Sequence, residues 1–108
     1  MAEFQHISVS DAQKLWQQQS AVFVDIRDIQ SFGVGHVPGS QRLTDASFVE
    51  FSQQTDEETP IVVVCYHGVS SQGAAQYLAQ QGYETVYSMD GGFTAWMNQF
   101  PEHVESQP

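Results

Sequence analysis

The hydrophobic and polar positions of the chain switch repeatedly between a strand-like and a helix-like period. Residues 21–25 (AVFVD) are a short, apolar, β-branched run, the mark of a buried strand. Residues 61–65 (IVVVC) are apolar at every position, which predicts a central strand covered on both faces. Residues 85–88 read as a further strand and 41–43 as a short one. Helical patterns lie between them. Ser10 followed by Gln13 reads as a capping box, and the helix after it turns Ala12, Leu15 and Trp16 to one face. Residues 29–35 hold one or two helical turns before Pro38 and Gly39 break the chain. Asp45 is placed to cap a helix that buries Phe48 and Phe51. A further helix turns Ala74, Ala75 and Leu78 inward and ends at Gly82 in the C′ role. The last helix starts near Gly91, with Phe93, Trp96, Met97 and Phe100 at i, i+3, i+4 and i+7. That stripe, and Trp16 as well, reads as core packing and not as a cofactor box.

Strands and helices alternate throughout, so the predicted fold class is α/β. It is a small parallel β-sheet with right-handed crossovers and helices on both faces. The 108 residues show no internal repeat and no linker, and their number fits a single domain spanning residues 1–108. Residues 101–108 (PEHVESQP) carry no pattern that assigns them.

The net charge is −10, and Lys14, Arg27 and Arg42 are the only Lys or Arg residues. Such a surface repels phosphate backbones, which excludes nucleic acid as a partner. The acidity reads first as a solvating surface and second as a filter favouring basic or dithiol protein partners. No run of about 18 apolar residues is present, so no membrane span is expected. The polar start MAEFQHIS does not read as a signal peptide, and the expected location is cytoplasmic.

A lone cysteine, Cys65, excludes an internal disulfide and any metal site needing two thiolates. By itself such a residue is more often a small buried hydrophobe than a nucleophile. Position changes that reading. Ligands of open α/β sheets bind beyond the C-terminal ends of the strands, and Cys65 closes the most apolar strand. Gly68 follows within a short loop, and then Ser70 and Ser71 open a helix. A loop of this kind turns several backbone N–H groups toward one point, where the helix dipole adds positive partial charge. Such a place lowers a thiol pKa and holds its anion, or the outer sulfur of a persulfide. Ser70 and Ser71 are each open to two roles, capping the helix or donating a hydroxyl hydrogen bond. Gly68 fits a position that needs φ > 0 or close ligand approach.

Three motifs then carry a resemblance. VDIRDIQSFGVGHVPGS (residues 24–40) offers Asp25, Arg27, Gly35, His36, Pro38 and Gly39. CYHGVSS (residues 65–71) fits the loop pattern C-x-x-G-x-R-[ST] at Cys65, Gly68 and Ser71. YSMDGGFTAW (residues 87–96) offers Gly91, Gly92 and Trp96. Together, in this order, they resemble the rhodanese homology domain over nearly the whole chain. The chain is most similar to short single-domain bacterial members, which also carry Tyr-His-Gly in the loop and lack its arginine. The resemblance implies a thiosulfate sulfurtransferase with Cys65 as catalytic nucleophile. The substrate-binding loop would be Tyr66, His67, Gly68, Val69, Ser70 and Ser71. Sulfur would pass from thiosulfate to Cys65 as a persulfide, then to cyanide, a thiol, or a dithiol protein such as thioredoxin, in ping-pong fashion. No metal or organic cofactor is implied.

Some positions depart from the family pattern. Ser70 stands where many relatives carry an anion-binding arginine, and Gln72 adds no charge, so thiosulfate binding is expected to be weak. Ser31 replaces a common acidic residue, which leaves Arg27 to pair with Asp25, Asp28 or a backbone carbonyl. His67 reads as a wall of the pocket before a proton donor, and His36 as a structural core histidine. His6 and His103 read as surface residues. Tyr66 is open between hydrogen-bond donor and pocket lining. Three rival functions stand beside the main one. A cysteine phosphatase needs C-x₅-R, but Ser71 stands at the arginine position. A non-catalytic binding module on the same fold would not need Cys65 in this loop. A persulfide relay would be loaded by another sulfur-transfer protein.

Overall fold

A computed structural model describes residues 3–106; Met1, Ala2, Gln107 and Pro108, the ends of the expected 1–108 span, lie outside the described residues. The chain runs β1 (Gln5–Ile7), α1 (Val9–Gln17), β2 (Val22–Asp25), α2 (Ile29–Val34), β3 (Gln41–Arg42), α3 (Phe48–Gln54), β4 (Ile61–Val64), α4 (Ser70–Gln80), β5 (Val86–Met89) and α5 (Gly92–Gln99). The five strands form one sheet in the order β1-β5-β4-β2-β3. Every strand pairing in it is parallel.

The apolar run of β4 is explained by its central place. Ile61, Val62, Val63 and Val64 are all fully buried. Side chains alternate across a strand, so Val62 and Val64 enter one core with Ala12 of α1 and Phe93 and Trp96 of α5. Ile61 and Val63 enter the other with Phe51 of α3 and Ala75, Leu78 and Ala79 of α4. Helices therefore cover both faces, and each of these valines contributes about 1.5–3 kcal/mol by burial.

Several local expectations change. β1 was not foreseen; its three residues pair with β5, Ile7 opposite Met89. α1 starts two residues earlier than the Ser10 capping box implies, because Ser8 accepts the Asp11 N–H and acts as N-cap. Asp45 does not cap α3. Ser47 holds the N-cap position without a side-chain cap, inside a turn where it and Thr44 exchange hydrogen bonds. Met97 is 46% exposed and falls outside the core stripe that holds Phe93 and Trp96. Gly82 does follow α4 with φ +107, as a C′ glycine should. His103 is not a plain surface residue: its ring lies 4.7 Å from that of Trp16, and its carbonyl accepts the Trp96 indole N–H. The tail is tied down as far as Glu105, whose backbone exchanges two 2.9 Å hydrogen bonds with His36.

From this order it follows that the chain leaves β2 and β4 in opposite directions along the sheet, β2 leading to β3 and β4 to β5. The crevice beyond their C-terminal ends is where an open α/β sheet places a ligand. No helix among the described residues is long and apolar enough to cross a membrane.

Candidate active site

Cys65 is the first residue after β4 and is 3% exposed. Its sulfur is reached by the Gly68 N–H at 3.1 Å and lies 3.2 Å from the Ser71 hydroxyl. Burial pushes the thiol pKa up. The Ser71 hydroxyl and the N–H groups of Ser71, Gly68 and His67 push it down, and the net result is a value below that of an ordinary thiol. The expected convergence of backbone amides on one point is thus present, at the N-terminus of the 11-residue helix α4.

Why the amides face the sulfur is answered by α5. A loop carbonyl that pointed at Sγ would repel a thiolate. Here the Cys65 carbonyl accepts from Phe93 N–H at 2.7 Å and the Tyr66 carbonyl from Thr94 N–H at 3.1 Å. Both carbonyls are therefore drawn to the N-terminus of α5, and the loop amides turn the other way. The approach is close enough to demand glycine. A Cβ on Gly92 would lie 2.4 Å from the Tyr66 carbonyl oxygen, and one on Gly68 2.8 Å from the Gly91 nitrogen. Gly68 has φ +87, which meets the first of the two reasons given for it, and its close neighbour is the backbone of residues 89–91.

Of the two roles left open for the serines, capping falls to neither. Ser71 is fully buried and bonds both Sγ and the Ser88 hydroxyl, the latter at 2.7 Å. It does not cap α4; Val69 holds the N-cap position with no side-chain bond. Ser70 is exposed, and so are His67 and Val69. Gln72 secures the loop from below, its amide donating to the Gly68 carbonyl at 2.9 Å.

Tyr66 is 44% exposed, and its hydroxyl joins Asp28 and Ser31 across the mouth of the crevice. Ser31 thus has a part of its own, and Asp28, the N-cap of α2, ties that helix to the loop. The Tyr66 hydroxyl first, then the Ser31 amide and hydroxyl, hold the Asp28 carboxyl at about 2, below its ordinary 3.8. A carboxyl depressed in the folded state stabilises fully above its unfolded value. That contribution is lost as pH falls through the folded value. Asp28→Asn keeps the cap but removes the charge. Urea unfolding at a series of pH values should therefore show a flatter stability curve for the variant between 3.8 and about 2.

Arg27 resolves in favour of structure. Its guanidinium bonds Asp25 through Nε at 3.0 Å and Nη2 at 2.8 Å, and Nη2 also donates to the Gly35 carbonyl at 2.7 Å. The pair is buried, and the guanidinium carbon lies 4.3 Å from the centre of the Phe93 ring. His36 is likewise a core residue, stacked on Phe32 and bonded to its carbonyl. His6 is exposed and pairs with Asp90. No cation therefore faces Cys65 from the loop, and no guanidinium stands at position 71. Among the described residues no group of three or more His, Cys, Asp or Glu is placed to hold a metal ion.

Ser88, Asp28 and Ser31 are the site neighbours that the sequence did not single out for these contacts. Each meets the loop across a long stretch of chain, and no local pattern marks them. Their only signal was the motifs that contain them, residues 24–40 for Asp28 and Ser31 and 87–96 for Ser88, which spoke for family membership and not for these contacts.

Residues 8–99 match the model of the rhodanese-like domain family. The chain is 50% identical over 102 residues to the thiosulfate sulfurtransferase GlpE of Pseudoalteromonas translucida (strain TAC 125), covering 94% of this chain and 97% of that protein. Among solved structures it resembles a rhodanese-like domain protein from Staphylococcus aureus, with TM-score 0.80 and 20% identity over 97% of this chain and 100% of that one. It also resembles a protein of unknown function from Rhodopseudomonas palustris, named as a possible tyrosine phosphatase. That match has TM-score 0.75 and 29% identity over 89% of this chain and 81% of that one.

Proposed function

Because the chain belongs to the rhodanese-like domain family, we propose that it is a thiosulfate sulfurtransferase that carries sulfane sulfur as a persulfide on Cys65. The observation that carries this reading is the set of backbone amides and one hydroxyl converging on a sulfur whose pKa is lowered.

The Cys65 thiolate uses its electron pair to form a bond to the outer sulfur of thiosulfate. The sulfur–sulfur bond of thiosulfate breaks, and its pair leaves on sulfite. A cysteine persulfide anion remains, so three negative charges enter the step and three leave it. In the second half an acceptor nucleophile bonds the outer sulfur, and the Cys65 thiolate departs. With cyanide the product is thiocyanate; with a thiol it is a persulfide of that thiol. Preorganised N–H donors hold negative charge in both halves, so no general base is needed once the thiolate is formed.

A thiol or dithiol-protein acceptor and a cytoplasmic setting belong to the same proposal, since a free catalytic thiol persists where thiols stay reduced. The lack of a loop arginine disfavours phosphatase chemistry, which relies on a guanidinium fork to hold phosphate. Intact mass after incubation with thiosulfate and removal of excess reagent tests the proposal. A gain of one sulfur atom, reversed by cyanide, is the expected result. No gain from thiosulfate, with gain from a desulfurase-bound persulfide, would favour the relay instead.

Ser70 begins α4, is exposed, and stands where many family members carry a cation. Ser70→Arg should lower the KM for thiosulfate by roughly ten- to a hundredfold, the worth of a charge-assisted hydrogen bond of about 1.5–3 kcal/mol. Steady-state kinetics with cyanide as acceptor measure it; an unchanged KM would place the anion elsewhere.

A further inference from the structure

Ser88 occupies a strand position that an apolar β-branched residue would normally fill. It lies in β5, opposite Val63 of the central strand, and is fully buried. A hydroxyl taken out of water is costly unless it is hydrogen-bonded. Its bond goes to Ser71, oxygen to oxygen at 2.7 Å, and Ser71 in turn meets the Cys65 sulfur at 3.2 Å. We infer that Ser88 is a positioning residue for the chemistry of Cys65, acting through Ser71. This inference rests on the sulfurtransferase reading and goes one residue deeper into the same site.

The reason lies in what each group can donate. A serine hydroxyl has one hydrogen and two acceptor lone pairs. A thiol can give its hydrogen to Ser71, and Ser71 can then give its own to Ser88. A thiolate has no hydrogen and can only accept. Ser71 must now turn its hydrogen toward sulfur, and its 2.7 Å contact with residue 88 survives only if that residue donates. A backbone carbonyl at this place would compete with the thiolate for the Ser71 hydrogen. A hydroxyl does the opposite: it reverses direction together with Ser71 and supports the donor. Hydrogen bonds in such a chain polarise one another, the more so away from water.

The same chain serves both halves of the reaction. Cys65 attacks as a thiolate in the first and departs as one in the second, and a lower thiol pKa speeds the departure. Ser71 is pinned on both sides, by Ser88 and by the start of α4, so the donor needs no reorganisation when charge appears on sulfur.

The test reads the thiol itself and not turnover. The rate of Cys65 alkylation by iodoacetamide, followed by intact mass across a pH series, gives the midpoint of thiolate formation. Ser88→Ala should move that midpoint up by about half a pH unit, a fraction of what one hydrogen bond contributes. Ser88→Thr restores the hydroxyl and should return the midpoint to that of the parent. Thermal unfolding checks that each variant is folded. An unmoved midpoint in folded Ser88→Ala overturns the inference, and so does an equal shift in the Ala and Thr variants. Loading with thiosulfate is measured on the parent in parallel. A parent that takes up no sulfur, while Ser88→Ala still shifts the midpoint, supports the hydroxyl chain and overturns the proposed function instead.

Discussion

Cys65→Ser should fold like the parent and gain no mass from thiosulfate. The exchange is nearly isosteric at a residue that is 3% exposed, and the Gly68 amide and Ser71 hydroxyl can bond an oxygen as they do a sulfur. A change of denaturation midpoint worth no more than about 1 kcal/mol is expected, in line with a mild buried substitution. Chemistry, by contrast, stops altogether. A serine hydroxyl ionises far above neutrality, and the groups seen bonded to this position, the Gly68 N–H and the Ser71 hydroxyl, include no base to take its proton. Nor can an oxygen store sulfur as a persulfide. The loss is thus complete and separable from stability: thiocyanate formation at background, mass unchanged, unfolding curve nearly superimposed. Turnover retained by this variant would sink the mechanism and move the carrier to another group.

Gly92→Ala should be the most damaging change of a residue that takes no part in the chemistry. Its φ of +61 disfavours any side chain, and the added carbon would meet the carbonyl oxygens of Tyr66 and Cys65 at 2.4 and 2.5 Å. These are backbone atoms, so relief requires the loop or the start of α5 to move. Together the strain and the displacement should cost about 3 kcal/mol. The chemical effect goes further than the stability loss. Moving α5 away releases the carbonyls of Cys65 and Tyr66 from Phe93 and Thr94, and with them the orientation of the amides around sulfur. Urea unfolding should show the stability loss. Iodoacetamide alkylation at neutral pH should show a thiol that reacts more slowly than the parent's although it is more exposed. Faster alkylation would mean that α5 merely shields the sulfur.

The order of strands and helices is legible because β4 is uniformly apolar and α4 and α5 carry clear helical periods. The same clarity is missing in β1. Only one of its three residues is buried, and its pairing partner lies at the far end of the chain, so nothing local marks it as a strand. Helix starts fail for a related reason. Ser10 and Ser8 are equivalent as letters, and only the register of Val9 and Ala12 against the core makes Ser8 the cap. Cys65 could be read from its place at the end of a strand, and its loop from glycine spacing. Ser88 could not be read, since a serine within an apolar strand looks like a tolerated exception until α4 is seen lying across it. Gly92 was legible as part of a motif, but the backbone approach that requires it is a tertiary fact.

The clamp between α5 and the loop also fixes when the thiol becomes reactive. A chain made from its N-terminus contains Cys65 and all of CYHGVSS well before Gly92, Phe93 and Thr94 exist. Until those residues dock, the carbonyls of Cys65 and Tyr66 are free to turn toward the sulfur, and no fixed amides offset them. During that interval Cys65 is an ordinary thiol, mostly protonated near neutrality and slow to react. On the proposed sulfurtransferase reading, sulfur loading therefore waits until α5 has docked, and an incomplete or misdocked chain carries a cysteine with no more appetite for sulfur or oxidants than any other.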